Sequence, residues 1–348
     1  MKITTPGRIC LFGEHQDYLG LPVIALAISM RSEISAQRRN DKKIIINMPD
    51  IDRIEEFSLD DLIYSKERDY FKSAVKVCLE NGLRFSNGLD ALIESEIPIQ
   101  AGASSSSSII VGWIKLISSL SDNPPNWDNQ KIGRLAYQAE VLEFDEPGGM
   151  MDQFSTAMGN CIYLTQEPFK IKKMRPNLGM FVLGNSKQPK DTLGILRRCR
   201  DQRISMMKKL KKRYPDLGFG NCELEHGDSI LNSKEKKLLE ATIKNREILL
   251  QAKTELSRKK LDHAKIGQLF FDHHKVLRDL LKISTDKIEK MIDVSMNAGA
   301  LGAKINGSGG GGCMFAYAPD NPQSVANAIN KVGGHATIIH SGDGTRIA

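Results

Sequence analysis

The chain has 348 residues, of which 41% are hydrophobic and 26% charged, and Lys and Arg together exceed Asp and Glu by seven. This composition is typical of a globular protein with room for two domains, and it excludes a fibrous or disordered chain. No apolar run reaches the ~20 residues that a membrane-spanning helix needs, and the six cysteines show no C-x-x-C spacing, so a cysteine zinc site and a disulfide framework are not expected. We therefore expect a cytoplasmic protein with reduced thiols and no membrane partner.

The positive charge is most concentrated in "MMKKLKKRYPD" (Met206–Asp216), which has the pattern of a helix end. Aromatic residues that would stack on bases are not interleaved with these cations. We interpret the run as a solvated face that mildly favours anionic ligands, and we expect no nucleic-acid partner.

Along the chain, β-branched runs predict strands at Leu21–Gln37 and Lys43–Asn47, and helical spacing dominates after Ser104. Two later runs, "CIYL" and "GMFVLG", also predict strands. The remaining predicted elements are charged helices over Asp191–Tyr214, Ser233–Leu256 and Leu261–Leu281, then strand, glycine turn, strand, helix and strand over Leu301–His340.

This change of pattern predicts a domain boundary near residue 175. The first domain would comprise residues 1–175 and the second residues 176–348. We find neither a repeat of fixed period nor a low-complexity linker in the sequence.

Three polar side chains are crowded beside a glycine in "ICLFGEHQDYLGLPVI", between two strand-like runs. Glu14, His15 and Asp17 follow Gly13 there. Taken alone, the segment fits a solvated hairpin tip, because turns ordinarily combine glycine with polar residues. The alternative is a ligand site, which only other parts of the chain can support.

A run of five serines in "IPIQAGASSSSSIIVGWIKL" leads directly into an apolar stretch of helical length. The free N–H groups at such a helix start bind phosphate well, Gly102 allows close backbone approach, and hydroxyls add donors or a magnesium ligand. The spacing differs from the Gly-x-x-x-x-Gly-Lys-Ser/Thr loop, which excludes that class of nucleotide site. The alternative interpretation is a helix cap or a linker.

Two carboxylates flank a Pro-Gly-Gly turn further on. Glu140 lies at the edge of an apolar helical stripe, and Asp152 follows twelve residues later. Such residues can converge, one holding a divalent metal and the other accepting a proton. The alternative is a pair of surface acids on a helix-turn-helix.

A glycine turn in "GAKINGSGGGGCMFAY" separates two apolar strands near the C-terminal end of the sequence. Its glycines can approach a ligand or the serine loop closely, although such hairpins also occur without any ligand.

Taken together, the order and content of these segments resemble the GHMP family of small-molecule kinases, and its galactokinase branch in particular. The resemblance spans essentially the whole chain and includes "HHKVLRD" (His273–Asp279). It implies an α+β fold of two domains, an N-terminal ribosomal-protein-S5-like α/β domain and a C-terminal ferredoxin-like α/β domain, with the active site in the cleft between them. The matching positions are Pro6, Gly7, Arg8, Gly13, Glu14, His15, Asp17 and Tyr18 in the first segment, Pro98, Gly102 and Ser104–Ser108 in the second, Glu140 and Asp152, and Gly307–Cys313.

The resemblance also implies roles for individual residues in the transfer of phosphate from ATP to the anomeric hydroxyl of galactose or a close relative. Asp152 would be the base, and Arg8 would stabilise both the ionised base and the charge that develops. Ser106 and Glu140 would hold Mg²⁺ on the phosphates. The other implied residues are Glu14, His15, Asp17 and Gly149 at the sugar, Pro98, Gly102, Ser104, Ser105, Ser106, Ser107 and Ser108 at ATP, and Gly307, Gly309 and Gly310 in an active-site glycine turn.

The sequence departs from the family pattern after Asn185-Ser186, where "KQPKDTLGILRRCRDQR" lacks the tyrosine that normally helps to close the sugar pocket. Gln16 and Ser107 also replace the usual Thr and Ala. These departures leave open a kinase for another acceptor (a uronic acid, another aldose or a non-sugar alcohol) and a non-catalytic sugar sensor. Glu14 weighs against a uronic acid, because two carboxylates in contact disfavour each other's ionisation. The oligomeric state is not predicted.

Overall fold

The computed structural model describes residues 1–99, 101–189 and 191–348. Within these residues the strands form two sheets. The first sheet contains β1 (Lys2–Phe12), β2 (Val23–Arg38), β3 (Lys43–Met48), β4 (Arg53–Ser58), β5 (Leu89–Ser95), β6 (Cys161–Gln166), β7 (Phe169–Met174) and β12 (Arg346–Ile347). The second contains β8 (Phe181–Asn185), β9 (Gly302–Ile305), β10 (Cys313–Tyr317) and β11 (His335–Ile339).

Among the described residues, five of the helices begin where a side chain accepts a hydrogen bond from the first free N–H groups. The capping residues are Asp128, Asp191, Asn232, Asp262 and Thr285. The helices are α1 (Tyr70–Glu80), α2 (Ser105–Leu120), α3 (Asn129–Glu140), α4 (Met151–Met158), α5 (Thr192–Lys211), α6 (Ser233–Leu256), α7 (His263–Lys275), α8 (Asp286–Asn297) and α9 (Pro322–Lys331).

Strand β2 organises the first sheet because it is long enough to have different partners along its length. It pairs with β1 along most of its length, with β6 over its first residues and with β5 over its last. Its first six residues are all buried, whereas the later ones alternate between buried and partly exposed. The β1–β2 connection, residues 13–22, is therefore anchored between two buried strands.

The second sheet has the order β11-β8-β10-β9, and all its pairs are antiparallel. The turn between β9 and β10 carries the predicted run of glycines, several of which have positive φ. This turn lies against the segment that precedes α2, because Cys313 N donates to Ala101 O at 2.6 Å.

An aromatic cluster joins the two halves of the molecule. Phe12 of β1 stacks on Phe270 of α7 with ring centroids 4.8 Å apart, and Phe270 meets Phe315 of β10 edge-to-face at 5.2 Å. All three side chains are fully buried. The two sheets therefore share a core instead of meeting only across solvent.

The chain crosses from the first sheet to the second between Met174 and Phe181, close to the predicted boundary at residue 175. Its last residues return to the first sheet, where β12 pairs with β1. The division into residues 1–175 and 176–348 stays a prediction. In the part of the chain that the structure describes, none of the helices combines the length and apolarity that crossing a bilayer requires.

Candidate active site

A cavity of about 400 Å³ lies where the β1–β2 connection, the start of α2, the start of α4 and the β9–β10 turn meet. Most of the site residues predicted from the sequence line it. These are Arg8, Glu14, His15, Asp17, Gly102, Ser104, Ser105, Ser106, Ser107, Glu140, Gly149, Asp152 and Gly307.

Arg8 and Asp152 form a two-pronged ion pair inside this cavity. Arg8 Nε donates to Asp152 Oδ1 at 2.9 Å, and Nη2 donates to Oδ2 at 2.7 Å. Arg8 is buried while the Asp152 side chain is 30% exposed, so the carboxylate is the member of the pair that a ligand can reach. Burial by itself would lower the pKa of Arg8, but the Asp152 and Glu14 carboxylates together outweigh burial and raise that pKa.

Asp152 lies in the first turn of α4, yet it does not act as the helix cap. The N-cap position belongs to Met150, which makes no side-chain capping bond, and both Asp152 oxygens accept from Arg8 instead. The guanidinium of Arg8 also donates to Gly102 O, which ties the pair to the serine loop.

Glu14 is held by a lysine that the sequence analysis did not select. Lys304 Nζ donates to Glu14 Oε2 at 2.7 Å, and both side chains are almost fully buried. The same ammonium donates to Cys10 O at 2.9 Å and lies 5.0 Å from the ring centroid of Phe315. Any ligand that Glu14 binds therefore shares the Glu14 carboxylate with Lys304.

Both ring nitrogens of His15 have partners within the protein. Nε2 lies 3.0 Å from Ser308 O, and Nδ1 lies 2.7 Å from Tyr18 Oη. A carbonyl oxygen can only accept, so Nε2 carries the proton and the Tyr18 hydroxyl donates to Nδ1. Burial and the nearby Arg203 lower the pKa of His15 to about 3, which keeps the ring neutral.

Asp17 is buried beside the start of α4. Its Oδ2 accepts from Met151 N at 3.3 Å and its Oδ1 from Tyr18 N at 2.9 Å. A Cβ at Gly149 would lie 2.0 Å from Oδ2, so only glycine allows the two segments to approach this closely. Burial, and then repulsion from Asp152, raises the pKa of Asp17 to about 6.

The serine run forms the start of α2, as the phosphate-site prediction requires. Ser104 is the N-cap residue with a φ of 61°, and its buried Oγ has no hydrogen-bond partner within residues 1–99, 101–189 and 191–348. The side chain of Ser104 therefore leaves the first N–H groups of α2 without a cap. Such free groups favour a bound anion.

Glu140 lies opposite these serines, at the end of α3. Its Oε2 accepts from Gln153 Nε2 at 2.7 Å. Burial raises the pKa of Glu140, and hydrogen bonds from Gln153, Ser107 and Ser106 oppose that rise. Ser106 is exposed whereas Glu140 is buried, so a hydroxyl and a carboxylate meet at the cavity wall.

Four predicted site residues do not line the cavity: Pro98, Ser108, Gly309 and Gly310. Ser108 is fully buried, and its Oγ donates to Thr5 O at 3.1 Å, which fastens α2 to β1. A Cβ at Gly309 would collide with Ile283, and one at Gly310 with Ile195. The structure therefore places these two glycines against the second half of the chain.

Gly307 does lie where the sequence analysis expected the glycine turn to approach the serine loop. A Cβ at Gly307 would lie 2.9 Å from Gly102 Cα. Asn306 strengthens this approach, because its Nδ2 donates to Gly102 O at 2.8 Å and its Oδ1 accepts from Cys10 N at 2.9 Å.

Sequence reasoning missed Lys304, Asn306, Gln153 and Arg203 as parts of this site. Lys304 had a usable signal, since a lysine in the middle of the apolar run "GAKI" has to find a buried partner. The sequence signal for Arg203 was weaker, because its helix α5 contains many cations and a single buried arginine does not stand out among them. In the ranges that the structure describes, no cluster of three or more His, Cys, Asp or Glu side chains is placed to hold a metal ion.

The geometry agrees with three family models that match the chain. GHMP kinases N terminal domain matches residues 69–160, GHMP kinases C terminal matches 253–335, and Galactokinase galactose-binding signature matches 2–38. The chain belongs to the GHMP kinase family, whose members are ATP-dependent kinases of small molecules.

Relatives of two kinds are similar over nearly the whole length. Mevalonate kinase of Thermococcus gammatolerans is 30% identical, with 99% of this chain and 97% of the relative covered. Galactokinase of Clostridium perfringens is 28% identical, with 94% and 88% covered.

Solved structures show the same fold. Lactococcus lactis galactokinase complexed with galactose superposes with a TM-score of 0.87 at 22% identity, covering 100% of this chain and 95% of that one. Methanococcus jannaschii mevalonate kinase gives 0.77 at 21% identity, covering 99% and 98%. The two-domain GHMP kinase fold that the sequence resemblance implied is confirmed.

Proposed function

We propose that the protein transfers the terminal phosphoryl group of ATP to the anomeric hydroxyl of a neutral monosaccharide, galactose or a close relative. The observation that carries the proposal is the Arg8–Asp152 pair, whose partly exposed carboxylate lines the same cavity as the free start of α2 and the buried Asp17. One cavity thus contains a candidate catalytic base (Asp152), a candidate phosphate site at the start of α2, and a carboxylate (Asp17) that can accept a hydrogen bond from a sugar hydroxyl.

In this mechanism Asp152 accepts the proton of the attacking hydroxyl while the hydroxyl oxygen forms a bond to the terminal phosphorus of ATP. The bond from that phosphorus to the bridging oxygen breaks, and ADP leaves. Arg8 orients the carboxylate and offsets the negative charge that develops. The N–H groups at the start of α2 bind the phosphates.

Ser106 and Glu140 would hold magnesium, which supplies charge neutralisation on the phosphates when it is bound. A hydroxyl beside a buried carboxylate fits a cation that takes few protein ligands and completes its shell with phosphate oxygens and water. The adenine base fits the apolar side of the cavity, where Ile51 and Ile99 are 43% and 51% exposed and Tyr70 also lines the wall.

The substitution Glu140→Gln tests the metal assignment. It keeps the shape and the bond to Gln153 but removes the negative charge, so we expect a higher magnesium concentration at half-maximal rate and little change in sugar binding. The matched control is Glu143→Gln, since Glu143 bonds Tyr64 and Lys76 away from the serines. An equal loss of magnesium response and sugar binding would assign Glu140 a structural role.

The charges in the cavity favour a neutral acceptor over a carboxylate such as mevalonate or a uronic acid. Among the described lining residues the two cations are Arg8 and Arg68, and each already makes a two-pronged pair, with Asp152 and Glu146 respectively. A carboxylate acceptor would be desolvated beside Asp17 and Asp152 without a free cation among the described lining residues, which costs several kcal/mol. Buried carboxylates that accept from hydroxyls suit a sugar.

The similarity to mevalonate kinases keeps mevalonate as the second candidate. We would measure ADP release with magnesium and ATP against galactose, glucose, mannose, galacturonate and mevalonate, and locate the phosphate by ³¹P NMR. We expect a neutral hexose to exceed both acids at least about 100-fold in kcat/KM, roughly 2.7 kcal/mol. Preference for mevalonate would refute the sugar assignment, and sugar binding without turnover would support a sensor.

A further inference from the structure

A chain of hydrogen bonds connects α5 to the acceptor side of the cavity. Arg203 Nη2 donates to Tyr18 Oη at 2.6 Å, the Tyr18 hydroxyl donates to His15 Nδ1, and His15 Nε2 donates to Ser308 O. The chain joins the β1–β2 connection to α5 on one side and to the β9–β10 turn on the other. Both of these elements belong to the second half of the molecule.

Arg203 is costly to keep in this position. It is fully buried, and among the residues that the structure describes its Nε donates only to the carbonyl of Cys199 on its own helix and its Nη1 has no partner. None of the ion pairs among the described residues includes it. Burying a guanidinium without a carboxylate is unfavourable, so packing alone does not account for an arginine there.

We propose that Arg203 is a positioning residue that, through Tyr18, holds His15 in its Nε2–H form and fixes the connection that carries Glu14 and Asp17. This inference rests on the proposed phosphotransfer, because it concerns how the acceptor is presented to Asp152. Arg203 itself touches neither the cavity nor the reacting atoms.

The direction of each hydrogen bond follows from which of its two groups can donate a hydrogen. Arginine can only donate, so Tyr18 accepts from Arg203 and directs its own hydrogen to His15. His15 then has one unprotonated nitrogen and one N–H, and the N–H is aimed at Ser308 O. If Tyr18 lost its hydroxyl, His15 Nδ1 would lose its donor, and only the bond to Ser308 O would still favour the Nε2–H tautomer.

Fixing His15 matters because it lies between the two carboxylates that face the acceptor. His15 has a φ of 62°, a left-handed conformation that is uncommon for residues other than glycine. Glu14 is anchored by Lys304 and Asp17 by the start of α4, so His15 completes the attachment of this connection to the β9–β10 turn.

The test compares Tyr18→Phe, Arg203→Met and the double variant by steady-state kinetics. We expect each single change to raise the acceptor KM about tenfold, with little effect on the KM for ATP. The double variant should be no worse than the more severe single variant, because both changes break the same chain. Arg200→Met is the control, since Arg200 lies on the same helix and pairs with Asp201 instead.

Tyr18→Phe removes a single oxygen, so it remains informative if Arg203→Met fails to fold. Additive effects in the double variant, or equal rises in the KM for sugar and for ATP, would overturn the proposal.

A readout without turnover separates this inference from the proposed function. We would label the seven histidines with ¹⁵N and assign His15 by its loss in His15→Gln. The charged or titratable groups around His15 are Arg203 and Arg198 from α5, Lys304 from β9, His273 from α7, and Glu14 and Asp17 on its own connection. The wild-type ring should be the Nε2–H tautomer and should not titrate between pH 5 and 8.

In Tyr18→Phe and Arg203→Met, the pKa of His15 should rise and the tautomers should mix. A wild-type Nδ1–H tautomer, or variants with unchanged His15 signals, would refute the hydrogen-bond chain even if the protein phosphorylates sugars. A correct tautomer without any sugar turnover would instead count against the proposed function.

Discussion

Asp152 combines partial exposure with two bonds from a buried arginine, which is a suitable environment for a general base at neutral pH. Asp152→Asn keeps nearly the same shape but cannot accept a proton. We therefore expect kcat to fall by about 100-fold to 10,000-fold, with sugar binding retained. Rates of ADP release and calorimetric binding would measure the two effects separately.

Asp286→Asn is the matched control for that experiment, because Asp286 is also an acid in the first turn of a helix but is exposed. Near wild-type turnover of a folded Asp152→Asn protein would remove Asp152 from the mechanism.

The Asp17 carboxylate is proposed to bind the acceptor, yet its burial lowers the stability of the folded protein at neutral pH. Its folded pKa of about 6 lies above the ordinary value of 3.8, so its contribution to stability is present below pH 4 and is lost as the pH rises through 6. Asp17→Asn should therefore gain stability relative to wild type between pH 4 and 7, by at most about 3 kcal/mol, while the acceptor KM rises. Urea unfolding at pH 4.5 and 7.5 would measure the gain.

A stability difference between Asp17→Asn and wild type that stays constant across this pH range would mean that Asp17 titrates normally. The substitution Asp128→Asn at an exposed helix cap provides a comparison, since the Asp128 side chain bonds only Lys131 N among the described contacts.

At the scale of elements, the approach of the β9–β10 turn to the serine loop decides the shape of the phosphate site. Gly307→Ala adds a Cβ only 2.9 Å from Gly102 at a φ of +78°. We expect the two loops to separate, with a loss of stability of about 1–2 kcal/mol and a clear rise in the KM for ATP. Kinetics and thermal unfolding would measure both effects.

Gly299→Ala isolates the backbone strain, because Gly299 also has a positive φ, of +98°, but faces open space. The Gly299→Ala variant should lose a similar free energy of unfolding and keep the wild-type KM for ATP. If both variants changed the KM for ATP equally, close contact between the loops would not explain the effect of Gly307→Ala.

The predicted elements also show where hydrophobic periodicity identifies a helix or strand correctly. The helix predicted at Ser233–Leu256 has those bounds in the structure, because Asn232 and Glu235 form a capping box at its start. Strands β4, β5, β7 and β12 and helices α1 and α8 were not predicted. Strand β4 is an edge strand with a single buried residue, so it lacks the alternation that indicates a half-buried strand.

On the scale of the whole molecule, the last residues of the chain hold the first sheet. Gly342 N donates to Ala27 O at 2.8 Å, Thr345 N donates to Ala157 O at 3.1 Å, and Ala348 N donates to Lys2 O at 3.0 Å. Removing residues 341–348 should cost at least about 3 kcal/mol, roughly 1 kcal/mol for each of these three bonds, although these residues lie outside the cavity. Urea unfolding of the truncated chain would measure this cost.

The control for the truncation is Arg346→Ala, which removes only an exposed ion pair with Asp343 and should cost less than about 1 kcal/mol. A truncated protein with wild-type stability would mean that the first sheet does not depend on its last strand.

The sequence by itself determined the motifs, the long helices and the family. Glycine next to acids, serines before an apolar helix and paired carboxylates are local patterns, and local patterns are what a sequence displays directly. Arg8, Asp17, Glu140 and Asp152 were selected from these patterns, and all four line one cavity in the structure.

Only the tertiary structure decided which partner each of these side chains has. Lys304 lies 290 positions from Glu14, and Arg203 lies 185 positions from Tyr18. Among neighbouring serines, Ser106 faces the cavity whereas Ser108 bonds β1. Periodicity reports only whether a residue faces the core. Its hydrogen-bond partner depends on how distant segments pack, and no local pattern contains that information.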